Sequence, residues 1–357
     1  MKALLINRIP SLDGLRAVSI LLVLIGHAFH IKSLDIANLG VRIFFVISAY
    51  LIVGILLKDV ERKKFSIKVF YFKRFTRTFP AFYVYLLVLF FVLKYLGLFE
   101  WEQFWRAPVY LENYHPRSLW NSNQWFVGHT WSLAVEEQFY VLVALLFYFF
   151  NKKVINKGQL VYILFCIVFL VPIIRICYLL FPWIPEFLRG SIHRSFETVV
   201  DSLAVGGLIA ICSTKIISNK FYRIIENRTW MLIIIIILMQ SLNGKFIVDL
   251  FGLKSKYFYN LFGLTVLNFA IGILILVLIN NPKRALFSRF LNLPFMVKIG
   301  LWSYSIYLWQ QVWLYSWDIP LVFKILGIFV CSIISYYLVE IKFLSWRDNI
   351  LKKNERN

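Results

Sequence analysis

The chain alternates between long apolar segments and shorter polar segments that are rich in Lys and Arg. Most of the apolar segments approach the roughly 20 residues that a membrane-spanning helix needs. We therefore predict an all-α fold, a polytopic membrane helix bundle with about ten transmembrane helices. The ten predicted spans are 11–31, 39–57, 79–97, 130–150, 159–180, 197–212, 229–243, 258–280, 299–317 and 320–342.

Composition supports the membrane class of protein. Hydrophobic residues make up 60% of the chain and charged residues only 16%, whereas a soluble domain is about half apolar and a quarter charged. The net charge of +21 fits cytoplasmic loops that collect Lys and Arg, so we expect no nucleic-acid partner. The four cysteines lie in apolar segments without metal-ligand spacing, and we expect no metal.

The distribution of basic residues predicts the orientation of the bundle. With the N-terminus inside, the inner segments hold 25 Lys and Arg and the outer segments hold 8. The positive-inside rule therefore places both termini in the cytoplasm. We expect one transmembrane domain over residues 1–345 and a cytoplasmic tail over 346–357.

Two polar residues interrupt the first predicted span. The stretch "LDGLRAVSILLVLIGH" places Arg16 and His27 eleven residues apart. On a helix both side chains leave the same face, separated by roughly 16 Å along the axis. Ionisable residues at membrane depth usually mark function. The structural alternative is an ion pair of Arg16 with Asp13 and a hydrogen-bonded core histidine.

A second basic pair precedes the third predicted span. In "KRFTR", Arg74 and Arg77 stand three residues apart and face the same way on a helix. Two guanidinium groups on one face suit phosphate oxygens. The alternative is a positive-inside signal that contacts lipid head groups.

Two acidic residues lie in "HTWSLAVEEQFY" at the start of the fourth predicted span. Glu136 lies about 9 Å into that span, close to the expected depth of His27, so we predict that the two meet. A carboxylate beside an imidazole fixes its tautomer and stabilises its protonated form. Glu137 points about 100° away. The alternative is that both acidic residues only stabilise the helix, because negative charge is favourable near a helix N-terminus.

Further polar residues are candidates for contact with a substrate. Ser48 lies in "NLGVRIFFVISAYLI" and can hydrogen-bond across helices. Tyr307 and Gln310 lie in the aromatic and polar stretch "GLWSYSIYLWQQ", which fits a pocket wall or a packing seam. The aromatic residues of 98–129 fit either a sugar platform or an interfacial belt. Asp201 and Glu340 need buried partners, and we expect structural ion pairs.

Together these stretches resemble the integral-membrane acyltransferase-3 family, whose members O-acylate surface glycans and related acceptors. The resemblance covers nearly the whole chain and also includes "DSLAVGGLIA" and "YYLVEIKF". Two positions depart from the family pattern. Ala49 stands where the family often has glycine, and Gln310 stands where it often has histidine. The second departure removes a possible second base.

The resemblance implies roles for the matching positions. Arg16 and His27 match the essential Arg-x10-His pair of the family, Arg74 and Arg77 match its cytoplasmic pair implicated in acyl-CoA use, and Glu136 matches the acid of its "WSLxxE" stretch. We assign His27 and Glu136 to catalysis, and Arg16, Arg74 and Arg77 to the binding of acyl-CoA. We also assign Ser48, Glu137, Tyr307 and Gln310 to substrate binding.

The expected function is therefore transfer of an acyl group, acetyl by default, from cytoplasmic acetyl-CoA to a hydroxyl group. The expected acceptor is a cell-surface or lipid-linked polysaccharide such as lipopolysaccharide, and the expected location is a bacterial inner membrane, in contact with its lipids. Direct transfer and an acyl-His27 intermediate both remain open. The alternative function is a carrier or glycan flippase that uses His27 and Glu136 as a proton relay.

Overall fold

The computed structural model describes residues 9–29, 34–116, 126–181, 192–281, 286–316 and 318–354. The regular secondary structure within these ranges is helical throughout, which confirms the predicted all-α class. The α-helices are α1 Pro10–Ala28, α2 Ile36–Glu61, α3 Ile67–Tyr95, α4 Trp101–Phe104, α5 Trp131–Asn151, α6 Lys157–Leu180, α7 Phe196–Ser218, α8 Lys220–Asn227, α9 Trp230–Ser241, α10 Lys245–Phe251, α11 Leu253–Phe258, α12 Leu264–Asn280, α13 Leu286–Leu291, α14 Pro294–Ser316, α15 Leu321–Ser335 and α16 Ile341–Asn354. Two π-helical turns, Tyr259–Gly263 and Tyr336–Glu340, join α11 to α12 and α15 to α16.

Eight helices of the described chain are long and apolar enough to cross a membrane. Six are α1, α2, α3, α5, α6 and α7, and two are the joined helices Leu253–Asn280 and Leu321–Lys353. A ninth span forms if α8 and α9, which meet at a bend of 86°, count together as one broken span. The chain is therefore a multi-pass membrane protein.

Nine of the ten predicted spans correspond to these helices if α8 and α9 count as one span, and helix α14 is the tenth. It corresponds to the predicted span 299–317 and has 23 residues, enough to cross the hydrocarbon core. Its Ser, Tyr, Trp and Gln residues lower its hydropathy, and several of these polar side chains are buried within the bundle. At the C-terminus, the predicted tail from residue 346 starts inside α16.

Close backbone contacts hold α1 between α2 and α14. A Cβ atom added to Gly40 of α2 would lie 2.4 Å from the carbonyl oxygen of Ser19, and one added to Gly300 of α14 would lie 1.8 Å from that of Asp13. Only glycine permits these approaches, as at other close crossings of membrane helices. The helices α1, α2 and α14 are thereby fixed against one another.

The aromatic residues that precede α5 serve mainly in packing. Tyr110 packs against Phe82 of α3 at a ring distance of 5.0 Å, and Tyr114 donates a 2.8 Å hydrogen bond to Glu197 of α7. Trp101 is exposed, as a residue of an interfacial belt would be. Trp120 and Trp125, which belong to the same prediction, lie outside the described residues.

Candidate active site

His27 lies in the last turn of α1 and contacts α14. Its Nδ1 atom is 3.3 Å from Oε1 of Gln310, and its ring meets the edge of Tyr315 at 6.4 Å. Because an amide oxygen only accepts hydrogen bonds, Nδ1 carries the proton in this pair. The other ring nitrogen, Nε2, is then the basic one.

Glu136 belongs to a polar chain between α5 and α2. Its Oε2 atom accepts a 2.7 Å hydrogen bond from the hydroxyl of Tyr140, and the same hydroxyl is 2.6 Å from Oγ of Ser48. The structure thus gives His27 and Glu136 different hydrogen-bond partners. Glu136 lies about 8 Å from the start of α5, whereas His27 is one residue from the end of α1. Their predicted meeting is not among the described contacts and stays a prediction.

Three arginines from α1 and α3 form a positively charged group, which we call the arginine group: Arg16, Arg74 and Arg77. The positive charges of the three side chains interact with one another. The negative charge of Glu136 interacts with all three. Arg16 pairs with Asp13 at 3.4 Å. The structure therefore brings together residues that the sequence assigned separately to the donor and to catalysis.

The members of the arginine group differ in burial. The guanidinium of Arg74 is buried and lies 3.7 Å from the centre of the Tyr140 ring, the geometry of a cation–π contact. Its Nε atom has no hydrogen-bond partner within the described chain. Arg77 remains accessible at the surface. Unsatisfied and accessible guanidinium groups can both donate to phosphate oxygens.

Glu137 lines a cleft between α3 and α5. Its Oε1 atom accepts a 3.4 Å hydrogen bond from Thr78, and its charge interacts with Arg74. The cleft has a volume of about 380 Å³. Its walls are formed by Tyr71, Arg74, Phe75, Phe79, Val109, Tyr110, Leu111, Glu137, Gln138 and Val141.

Tyr307 fastens α14 to the start of α5. Its hydroxyl donates a 2.5 Å hydrogen bond to the carbonyl of His129 and lies 2.8 Å from Oγ of Ser132. The side chain is buried. Both contacts are within the protein, so Tyr307 is engaged in helix packing beside the site.

His129 is a residue of the site that the sequence analysis did not select. It is buried, and its Nε2 atom donates to the carbonyl of Leu308 at 3.1 Å. Its backbone N–H donates to Gln311 at 2.9 Å. His129 thus fixes the part of α14 that carries Gln310. It stands in the stretch that contains Glu136, but its burial follows from the packing of α14, which the sequence pattern does not show.

His129 also lies close enough to His27 for the charges of the two side chains to interact. No group of three or more His, Cys, Asp or Glu side chains in the described ranges is placed to hold a metal ion. The site supplies an imidazole that can accept a proton and a cluster of guanidinium groups.

Comparison with known proteins places this arrangement in a family. The family model described as an acyltransferase domain matches residues 9–341. O-acetyltransferase OatA of Staphylococcus aureus is 28% identical over 327 residues, which cover 85% of this chain and 50% of the relative. Peptidoglycan O-acetyltransferase OatA of Listeria monocytogenes is 26% identical over 330 residues, with coverage of 85% and 49%.

The chain spans about half the length of the curated relatives it matches. No solved structure matches it. The family match extends over α1 to the end of the last π-helical turn and includes every residue of the candidate site. The resemblance seen in the sequence is thus confirmed, and the chain belongs to the integral-membrane acyltransferase-3 family.

Proposed function

We propose that this protein is a membrane O-acyltransferase. It moves an acetyl group from cytoplasmic acetyl-CoA to a hydroxyl of a cell-surface or lipid-linked polysaccharide, from a bacterial inner membrane with both termini in the cytoplasm. One observation carries the proposal: the continuous helix α1 bears Arg16 of the arginine group and, three turns further on, His27. A site for anions and a base are thereby held roughly 16 Å apart.

The arginine group is the proposed site for the phosphates of the donor. Three guanidinium groups supply the positive charge and the planar donor geometry that phosphate oxygens require. From this position the flexible arm of CoA would extend along α1 toward His27. In this proposal Glu136 and Tyr140 support the arginine group, because Tyr140 contacts Arg74 and the charge of Glu136 interacts with it.

His27 is the proposed general base. Gln310 holds the proton on Nδ1, and Nε2 takes the proton of the acceptor hydroxyl. The hydroxyl oxygen forms a bond to the thioester carbonyl carbon as the carbon–sulfur bond breaks. CoA leaves as a thiolate and takes up the proton that His27 holds. The orienting role that the sequence analysis gave to Glu136 passes in this proposal to Gln310.

The carrier hypothesis receives less support. It uses His27 and Glu136 as a proton relay, but their described hydrogen bonds run to different helices. It also gives no reason for three arginines to converge beside a carboxylate. The relatives are named as O-acetyltransferases, and the name of the Listeria relative specifies peptidoglycan. A cell-wall glycan is therefore the first acceptor to test.

Mass spectrometry of surface glycans tests the proposal. Glycans are purified from cells that produce the protein, lack it, or carry His27→Ala. We expect the acyl group only with the unaltered protein, on a polymer that is present in all three. Loss of the whole polymer without the protein would instead indicate a flippase. Full acylation in cells with His27→Ala would remove His27 from the mechanism.

A further inference from the structure

A second buried charge cluster joins α2, α6 and α7 away from the arginine group. Asp201 is fully buried and accepts hydrogen bonds from Arg175 at 2.5 Å and from Asn268 at 3.0 Å. Arg175 also donates to the carbonyls of Thr198 and Asn260. The structural ion pair expected for Asp201 is thus confirmed, with Arg175 as its partner.

Arg42 shares the same carboxylate but is not hydrogen-bonded to it. Its Nη1 atom is 3.9 Å from Oδ1 of Asp201, and this buried atom has no hydrogen-bond partner within the described residues. The whole side chain is 5% exposed. A buried guanidinium N–H without an acceptor is costly, so this position calls for an acceptor beyond the described residues.

Arg42 faces a small polar cavity with room for about one water-sized group, about 10 Å³. The cavity wall is formed by Asp35, Asn38, Arg42, Phe45, Trp131, His193, Val199 and Tyr259. Asn38 occupies both carboxylate oxygens of Asp35, at 2.8 and 2.9 Å. Arg42 is thus the cation of this wall with an unused donor.

The cavity lies at the same end of the bundle as His27. Asp35 immediately precedes α2, Trp131 begins α5, and His27 ends α1. The charge of Arg194 reaches both Asp35 and Tyr315, and the Tyr315 ring lies against His27. A group seated on Arg42 would therefore lie at the same end of the bundle as the proposed base.

Charge and size select the kind of group. Arg42 and Arg175 share the single carboxylate of Asp201, so this pair of buried guanidinium groups favours a singly charged anion. A carboxylate matches the guanidinium fork and can insert one oxygen into so small a cavity, whereas a tetrahedral phosphate is bulkier.

We propose that Arg42 forms an acceptor subsite that binds the carboxylate of an acidic sugar, next to the hydroxyl that His27 deprotonates. The proposal rests on the proposed function for its acceptor. The carboxylate supplies the acceptor that Nη1 lacks and balances the excess positive charge. The subsite thereby selects glycans that carry an acidic residue near the acylated one.

Ligand binding to the full-length protein in detergent tests the subsite without any turnover. The probes are sodium glucuronate and, as the neutral control, methyl glucoside, with binding measured by titration calorimetry and by the shift of the thermal unfolding midpoint. We expect glucuronate, but not methyl glucoside, to bind and to stabilise both the unaltered protein and His27→Ala. Arg42→Gln should weaken glucuronate binding on the order of 10- to 100-fold, the effect of one hydrogen bond to a charged group.

A second variant protects the test from misfolding of Arg42→Gln. Asp35→Asn removes a negative charge from the cavity wall and should tighten glucuronate binding severalfold, a change that misfolding does not produce. Equal binding of the two sugars, or glucuronate binding unaffected by both substitutions, would overturn the subsite. Arg42-dependent binding by a protein that acylates no glycan would leave the subsite standing and refute the proposed function.

Discussion

At the scale of single residues, the hydrogen bond between His27 and Gln310 decides which ring nitrogen can act as a base. The amide oxygen holds the proton on Nδ1, so the imidazole presents Nε2 for proton transfer. The family often has histidine at the position of Gln310. In this chain a neutral amide performs the orientation, and the nearby second imidazole is His129.

Substitutions at these two positions should have graded effects. His27→Ala should reduce turnover by about 10²- to 10⁴-fold, the usual contribution of a general base. Gln310→Ala should reduce it by roughly tenfold, the equivalent of one hydrogen bond of about 1.4 kcal/mol. Steady-state kinetics of the purified variants measure both. Gln310→Ala at full activity would show that His27 needs no orientation from α14.

Substitution of Arg77 tests the binding of the acyl donor with less effect on folding than substitution of Arg74 does. Arg74 is buried against Tyr140, whereas Arg77 is accessible. Arg77→Ala should therefore raise the KM for acetyl-CoA severalfold with little change in kcat or in the unfolding midpoint. Lys68→Ala removes an exposed positive charge from the same helix and serves as the matched control. Equal effects of the two variants would indicate a general effect of charge.

At the scale of helices, the position of His27 depends on the contact between α1 and α14. Gly300→Ala places a Cβ atom 1.8 Å from the Asp13 carbonyl oxygen, so the helices must separate. We expect a lower unfolding midpoint and loss of most activity, because His27 moves away from Gln310. Gly54→Ala on α2 has no atom within 4 Å of the added Cβ and should be neutral or slightly stabilising. Thermal unfolding in detergent compares the two; similar midpoints would contradict the close-contact argument.

The sequence predicted these helices better than it predicted their mutual contacts. Apolar length locates α1 to α3 and the later spans because each must satisfy its own backbone in the membrane. The placement of Glu136 could not be obtained in this way. Its hydrogen-bond partner is the hydroxyl of Tyr140, which lies one helical turn further along α5. The same hydroxyl is hydrogen-bonded to Ser48 of α2. The depth of a residue in its span leaves the facing helix undetermined.

Burial of polar residues also escaped the sequence pattern. His129 and Arg42 lie close to helix starts, where exposed polar residues are common, and both are buried by neighbouring helices. Spacing and family resemblance predict that three arginines bind the acyl donor: Arg16, Arg74 and Arg77. Their convergence from two helices becomes visible only in three dimensions.

At the scale of the whole molecule, charge and site geometry make one topological prediction. The arginine group lies toward the N-terminal end of α1 and His27 at its C-terminal end. If the basic loops are cytoplasmic, a cysteine introduced at position 64, between α2 and α3, should react with membrane-impermeant reagents only after the cells are opened. A second introduced cysteine near residue 111 should react in intact cells. External labelling at position 64 would refute the orientation.

Transfer across a sealed membrane tests the central claim most directly. The protein is reconstituted in oriented vesicles that contain acetyl-CoA labelled in the acetyl group, and a cell-wall glycan is supplied only outside. A charged CoA cannot cross the hydrocarbon by itself, so labelled glycan must arise through the protein. We predict external label with the unaltered protein and none with His27→Ala. Label that appears only when the glycan is also sealed inside would contradict a donor site and a base on opposite sides of the membrane.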